Sequence, residues 1–228
     1  MTAGGPILVI DTATTHAVIA LGGPDGELLE ARSWIAGYRH GEELLARIEG
    51  LLADRGLAAA DLGGLVCGTG PGAFTGLRVG LATAKALAHA LRLPIAGVAT
   101  SSALLAAAGA STGGAAAVLL QPAGPSDRVV TRAGVDPFIL PGGTELDLVP
   151  GEVVVAVDLA GRAPEDATIR GDAACTGLAT ALLEAGLARL AAGGDDLARL
   201  VPEYVTLPRG VLGALPDDAV EISGGTTR

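Results

Sequence analysis

The segment from residue 72 to residue 91 constrains the fold more than any other part of the sequence. Small residues recur in it at every fourth position, namely Gly72, Gly76, Gly80, Ala84 and Ala88. This spacing places them in one row along a helix, and a row almost without side chains allows close approach by a neighbour. The pattern predicts a helix over residues 73–91 that packs on one side against its own sheet and on the other against a second chain. A helix buried wholly inside its own monomer is the alternative.

Strand and helix patterns alternate along the chain. We predict strands at residues 7–10, 17–21, 28–35, 65–67, 95–98, 117–120, 128–133, 146–149, 153–157 and 168–169. We predict the other helices at residues 41–55, 101–108 and 176–192. Because strands lead helices in both halves, the pattern favours an α/β protein of two small lobes with mixed sheets flanked by helices. The lobes are expected at residues 1–104 and 105–210, followed by a flexible tail at residues 211–228.

Composition and charge exclude several classes of protein. Half of the 228 residues are hydrophobic and only 18% are charged, which argues against intrinsic disorder. The net charge of -10 should repel phosphate backbones, so a stand-alone nucleic-acid binder is disfavoured. Cys67 and Cys175 lie in apolar contexts and are predicted to be buried thiols of a reducing compartment. Without an uninterrupted apolar run of about 18 residues, we expect a soluble cytoplasmic protein.

Two loops could bind phosphate. Asp11 ends the first predicted strand and is followed by the hydroxyls of Thr12, Thr14 and Thr15, which could hold magnesium and phosphate or could satisfy their own turn. The glycine loop at residues 68–72 joins a strand to a helix, where backbone N–H groups could hold an anion or form a tight turn.

Metal and nucleophile signatures are missing from the sequence. The three histidines are too far apart to share a helical face as metal ligands, and no serine lies in a nucleophile elbow. On the helix predicted at residues 73–91, Arg78, Lys85, His89 and Arg92 form one narrow polar sector. This locally basic face lies within an acid-free stretch at residues 62–126, which predicts an acidic partner or a nearby phosphate.

Three motifs together resemble the TsaB (YeaZ) family. They are ILVIDTA at residues 7–13, HGEELL at residues 40–45 and GTGPGAFTGLRVGLATAKALA at residues 68–88. Residues 171–173 and 202–209 look like later landmarks of that family. The chain departs from the family pattern at residues 121–128, where the family usually carries an Asp-Ala-Arg-like segment.

The resemblance implies an actin-like (ASKHA) two-lobed fold and a role in making threonylcarbamoyladenosine next to the tRNA anticodon. It implies a non-catalytic subunit that binds and activates a TsaD-type transferase as a heterodimer, with a TsaE-like ATPase joining the complex. No cofactor is then required by this chain, although ATP or ADP and magnesium could enter the complex. Strong direct binding of tRNA, association with a membrane and a metal site are not expected.

We place the partner interface on the helices predicted at residues 41–55 and 73–91. It comprises His40, Glu43, Leu44, Arg47, Ile48, Phe74, Gly76, Leu77, Arg78, Gly80, Leu81, Ala84 and Lys85. Asp11, Thr12, Thr14 and Gly70 would form a degenerate nucleotide loop.

Two other functions remain open at this stage. A stand-alone ASKHA-type kinase or glycopeptidase-like hydrolase would use Asp11 as its carboxylate and residues 171–173 as a second phosphate loop. A homodimer could form through the same two helices.

Overall fold

The computed structural model describes residues 4–36, 40–109 and 111–205. Its first sheet, here the N-sheet, contains five strands. They are β1 (Ile7–Asp11), β2 (His16–Gly22), β3 (Leu28–Ile35), β4 (Gly64–Gly70) and β5 (Ile95–Ala99). The strand order is β3-β2-β1-β4-β5, with β1, β2 and β3 antiparallel and β1, β4 and β5 parallel. The carboxyl ends of three parallel strands therefore meet at one edge.

Helices cover both faces of the N-sheet. On one face lie α1 (His40–Asp54) and α2 (Phe74–Leu91), whose apolar side chains pack against alternate residues of β1 and β2. On the other lie α3 (Thr100–Ala108) and α4 (Glu165–Ala191), which pack against the intervening residues. Because side chains alternate across a strand and both faces are covered, β1 is apolar up to its last residue, Asp11, and is buried on both sides.

The second sheet, here the C-sheet, contains four strands. They are β6 (Ala116–Pro122), β7 (Arg128–Arg132), β8 (Val135–Leu140) and β9 (Glu152–Ala156). The order is β8-β7-β6-β9, with β6 and β9 parallel and the other pairs antiparallel. Leu119 and Val155 join the same core cluster as α3 and α4, so these two helices connect the two sheets.

The helix α4 has the length and apolar character of a membrane span. Its buried residues, among them Leu178 and Leu182, pack instead in the core shared by the two sheets, as expected of the central helix of a globular protein. A Cβ at Gly171 would lie 1.9 Å from the carbonyl oxygen of Ala156, so this position requires glycine for close contact between α4 and β9.

The structure corrects several predicted elements. Residues 168 and 169 belong to α4, which begins eleven positions before the predicted start at residue 176, and residues 146–149 form a loop instead of a strand. The strand β8 was missed because Pro137 disfavours a strand, and it lies at the edge of the C-sheet, where proline is tolerated. The predicted division at residue 104 falls inside α3 and stays a prediction, and the predicted tail at residues 211–228 lies outside the described residues.

Candidate functional site

Hydrogen bonds around the side chain of Asp11 connect the end of β1 with the start of α3 and the end of β4. Its Oδ1 accepts a hydrogen bond from the backbone N–H of Ala13 at 2.9 Å, and its Oδ2 accepts one from Thr100 Oγ1 at 2.6 Å. Thr100 Oγ1 in turn accepts the N–H of Gly70 at 3.1 Å. A Cβ at Gly68 would lie 1.7 Å from Asp11 Oδ2, so the glycine in β4 makes room for the carboxylate. The carboxylate is thereby fixed by the protein itself.

Burial also changes the acidity of this carboxyl group. Asp11 is 1% exposed, and its burial raises the pKa to about 6, with the hydrogen bonds from Thr100 and Ala13 opposing that effect. Because the carboxyl group is enclosed and both of its oxygens already accept hydrogen bonds within the chain, it is not exposed to a magnesium ion or a phosphate. The other polar groups of the predicted nucleotide loop are also engaged, because Thr12 Oγ1 donates to Gly76 O at 2.7 Å and Thr14 Oγ1 to His16 O at 2.8 Å.

A cleft of about 380 Å³ separates this edge of the N-sheet from the C-sheet. Asp158, after β9, closes one side by accepting hydrogen bonds from the N–H of Thr15 at 2.8 Å and from its hydroxyl. Among the described residues that line the cleft, the ionisable groups are Asp158, Glu203 and Tyr204, with no lysine or arginine. These acidic groups would repel a polyphosphate that carried no metal ion.

The divergent segment at residues 121–128 enters the same cleft. Gln121 is 2% exposed and donates from Nε2 to the carbonyl of Pro71 at 3.3 Å. Residues 123–127 connect β6 to β7, whose end residues Pro122 and Arg128 are paired. This segment therefore connects the C-sheet to the loop that precedes α2.

The glycine and alanine row of α2 faces the interior of its own chain. Gly76, Gly80 and Ala84 are all buried, and a Cβ at Gly80 would lie 2.1 Å from Thr12 Oγ1. The expectation that this row offers an open groove to a second chain is wrong, because the turn after β1 already occupies it. Four further residues of the predicted interface are also in the core: Leu44, Ile48, Leu77 and Leu81.

The other predicted interface residues reach the surface of α1 and α2. Arg78 is exposed and its guanidinium lies 3.7 Å from the centre of the Phe74 ring. Arg47 is half-buried, lies 4.4 Å from the centre of the Trp34 ring and pairs with Glu43 at 3.1 Å. Lys85 is half-buried, and the side chain of His40 lies outside those described.

One surface residue was missed by the sequence reasoning. Leu45 is 50% exposed on α1, and the interface predicted from the sequence did not include it. The signal was its place beside Leu44, since two adjacent residues lie about 100° apart on a helix and seldom share one narrow face.

A C-terminal strap, residues 195–205, runs along the N-sheet and across α2. Lys85 Nζ donates to Leu200 O at 2.9 Å, Arg78 Nε donates to Tyr204 Oη at 3.0 Å, and the rings of Phe74 and Tyr204 are 5.4 Å apart. From the sequence, residues 202–209 were identified only as a landmark of the resembled family.

The structure also places the second phosphate loop considered above, residues 171–173, and the two cysteines. Residues 171–173 lie inside α4, so they form no phosphate loop. Burial raises the pKa of Cys67 and of Cys175 to about 12, and Cys175 is only half-buried. Within the described part of the chain, no three His, Cys, Asp or Glu side chains group as metal ligands.

The topology and the cleft define the class of protein. A sheet ordered β3-β2-β1-β4-β5, followed by a second mixed sheet across a cleft, is an actin-like (ASKHA) α/β fold. YeaZ from Pseudomonas aeruginosa has the same fold, with a TM-score of 0.65 at 22% identity over 88% of this chain and 99% of that one.

Sequence comparison identifies the family. The family described as TsaD: tRNA N6-adenosine threonylcarbamoyltransferase matches residues 34–205, and the chain belongs to this family. Similarity to curated TsaB proteins supports the TsaB (YeaZ) group, as the three motifs indicated. The tRNA threonylcarbamoyladenosine biosynthesis protein TsaB of Escherichia coli is 37% identical over 94 residues, 41% of this chain and 40% of that protein. An uncharacterized protein of Mycobacterium leprae is 44% identical over 101 residues, 43% of this chain and 28% of that protein. The matched region thus spans less than half the length of these two relatives.

Proposed function

We propose that this chain is a non-catalytic subunit that binds and activates a TsaD-type transferase. The transferase would form threonylcarbamoyladenosine at the tRNA adenine next to the anticodon. The observation that carries the non-catalytic role is the enclosure of Asp11, whose carboxylate is 1% exposed and has both oxygens bonded within the chain. A kinase or hydrolase of this fold would need that carboxylate at the cleft.

The docking surface we propose is the outward face of α1 and α2. It offers the exposed apolar side chain of Leu45 and the cation of Arg78 on a protein that is otherwise acidic. An exposed apolar residue and a cation on two helices that contact each other suit a protein partner with an apolar contact and an acidic group. A TsaE-like ATPase would join this heterodimer, and a homodimer would use the same face in the absence of the partner.

The same proposal extends to the binding of nucleotide and to the location of the subunit in the cell. The described residues that line the cleft of this chain include two carboxylates and no cation, so we expect cationic groups of the partners to hold the phosphates of any ATP or ADP in the complex. The subunit would act in the cytoplasm, where tRNA is modified, and would leave the binding of tRNA to its partners because its own net charge is -10.

The first experiment asks where activity resides. The purified chain, the TsaD-type paralogue of the same organism and both together are assayed for ATP hydrolysis and for threonylcarbamoyladenosine in tRNA. We expect product only when the remaining pathway components and both proteins are present. ATP turnover by the isolated chain that disappears in Asp11→Ala would refute the non-catalytic role.

The second experiment tests the docking face. Leu45→Asp places a charge on that face and should weaken binding of the TsaD-type paralogue by roughly tenfold or more, as for a central interface residue. Ile169→Asp is the matched control, because Ile169 is also an exposed apolar residue of a helix, 61% exposed, but lies on α4. Equal affinities of the two variants would exclude this face.

A further inference from the structure

The C-terminal strap covers part of the surface on which the proposed function depends. Three side chains of α2 that face outward contact the strap, and all three belong to the predicted partner interface: Phe74, Arg78 and Lys85. A partner that uses the Phe74 and Arg78 surface would meet Tyr204 there.

The first half of the strap is firmly anchored. Asp195 N–H donates to Ile95 O at 2.7 Å, and Asp195 Oδ2 accepts the N–H of Gly97 at 2.7 Å, so this residue binds the free edge of β5. Arg189 forms an ion pair with Asp195 at 2.6 Å, and Leu200 is 7% exposed in the core beneath α2. This part closes the sheet edge and belongs to the fold.

No side chain of the second half, residues 201–205, is fully buried. Val201 is 61% exposed and separates the anchored part from Glu203 and Tyr204. Glu203 N–H donates to Thr69 O at 2.7 Å, and Thr69 Oγ1 donates to Glu203 Oε1 at 2.6 Å. Tyr204 adds the ring contact with Phe74 and the hydrogen bond from Arg78. Because neighbouring segments with few buried contacts open at low free-energy cost, this half can detach while the anchor stays in place.

We propose that residues 201–205 form a displaceable cover over the Phe74 and Arg78 end of α2, which the partner removes when it docks. This inference rests on the proposed function, because it regulates the same docking face. Only molecules with an open cover can bind the partner. The apparent affinity is therefore the intrinsic affinity multiplied by the open fraction. The cover thereby occupies one side of the Phe74 ring and the Nε–H group of Arg78 until the partner binds.

The experiment is a titration of the TsaD-type paralogue with the wild type and two single variants of the full chain. Tyr204→Ala removes the ring contact and the hydrogen bond and should raise the affinity by roughly 5- to 30-fold. Val201→Ala is the control in the same segment and should bind like the wild type. An unchanged or weaker affinity of Tyr204→Ala would overturn the cover, and a weaker affinity would show that Tyr204 is part of the docked interface.

Hydrogen exchange gives a second readout. The backbone N–H of Glu203, bonded to Thr69 O in the free chain, should exchange faster in the complex if the partner removes the cover. Retained protection in the complex would overturn the proposal even if the affinity changed. If neither the wild type nor Tyr204→Ala binds the paralogue at all, the proposed function itself fails, whereas equal binding by both removes only the cover.

Discussion

Replacing Gly80 by alanine tests how α2 is seated on its own sheet. The residue lies opposite Thr12, which is 3% exposed and whose hydroxyl donates to Gly76 O at 2.7 Å. A Cβ at position 80 would lie 2.1 Å from Thr12 Oγ1 and 3.3 Å from Thr12 Cβ. The variant can fold only if Thr12 moves and gives up its hydrogen bond, or if α2 moves away from the sheet.

The expected loss of stability follows from opposing terms. Overpacking costs about 1 to 3 kcal/mol, and disturbing a buried hydrogen bond costs about 1 to 3 kcal/mol. The higher helix propensity of alanine returns about 1 kcal/mol. We therefore expect Gly80→Ala to lower the free energy of unfolding by about 1 to 5 kcal/mol, and the melting temperature by about 2 to 20 °C for a chain of this size.

Gly50→Ala is the matched control. Gly50 lies inside α1, and a Cβ there would meet only the end of the Arg32 side chain, at 3.5 Å. This variant should keep or increase stability by up to about 1 kcal/mol. Urea unfolding and thermal melting of the purified variants measure both changes. If Gly80→Ala is as stable as Gly50→Ala, the row does not pack inside the monomer and the open-groove interpretation returns.

Three further predictions concern acidity, thiols and nucleic acid. Because the folded pKa of Asp11 is about 6, above its ordinary value of 3.8, its contribution to stability is present below pH 4 and is lost as the pH rises through 6, by about 3 kcal/mol in total. Urea unfolding should show this decrease in the free energy of unfolding of the wild type relative to Asp11→Asn. If the free energies of unfolding of the two proteins change with pH in the same way, the raised pKa of Asp11 is refuted. With the pKa of Cys67 and Cys175 raised to about 12, neither thiol should react quickly with an aromatic disulfide reagent at pH 8 before unfolding, and fast labelling of Cys67 would refute its burial. Finally, the isolated chain should bind tRNA only weakly at physiological salt because its net charge is -10, and submicromolar binding in a filter assay would refute this.

Local patterns determined much of the secondary structure. The stretch that follows the turn at residues 23–26 predicted β3 with the bounds that the structure shows, Leu28–Ile35. The apolar and small residues of α2 predicted a helix whose observed bounds, Phe74–Leu91, differ by one residue at the start. The three motifs also identified the family, which the family comparison confirms. These features could be predicted because each depends on residues that are close together in the sequence.

The helical spacing of the small residues could not tell which neighbour they meet. A close-packing row has the same pattern whether a second chain or the turn at Thr12 lies against it, and only the tertiary structure places Gly80 on Thr12. The short predicted strand at residues 168 and 169 was wrong for a related reason. Its β-branched side chains favour a strand locally, but packing of α4 between the two sheets outweighs that preference.

The closure of the cleft was beyond sequence reasoning altogether. Thr15 and Asp158 are 143 positions apart, and their hydrogen bonds form only when both sheets have folded around α3 and α4. Likewise, Tyr204 contacts Arg78 across 126 positions. The sequence by itself determined the elements and the family through local periodicity and motifs. The tertiary structure decided which carboxylate is enclosed and which face of α2 is covered. Both depend on contacts between residues that are far apart in the sequence, and no local pattern predicts such contacts.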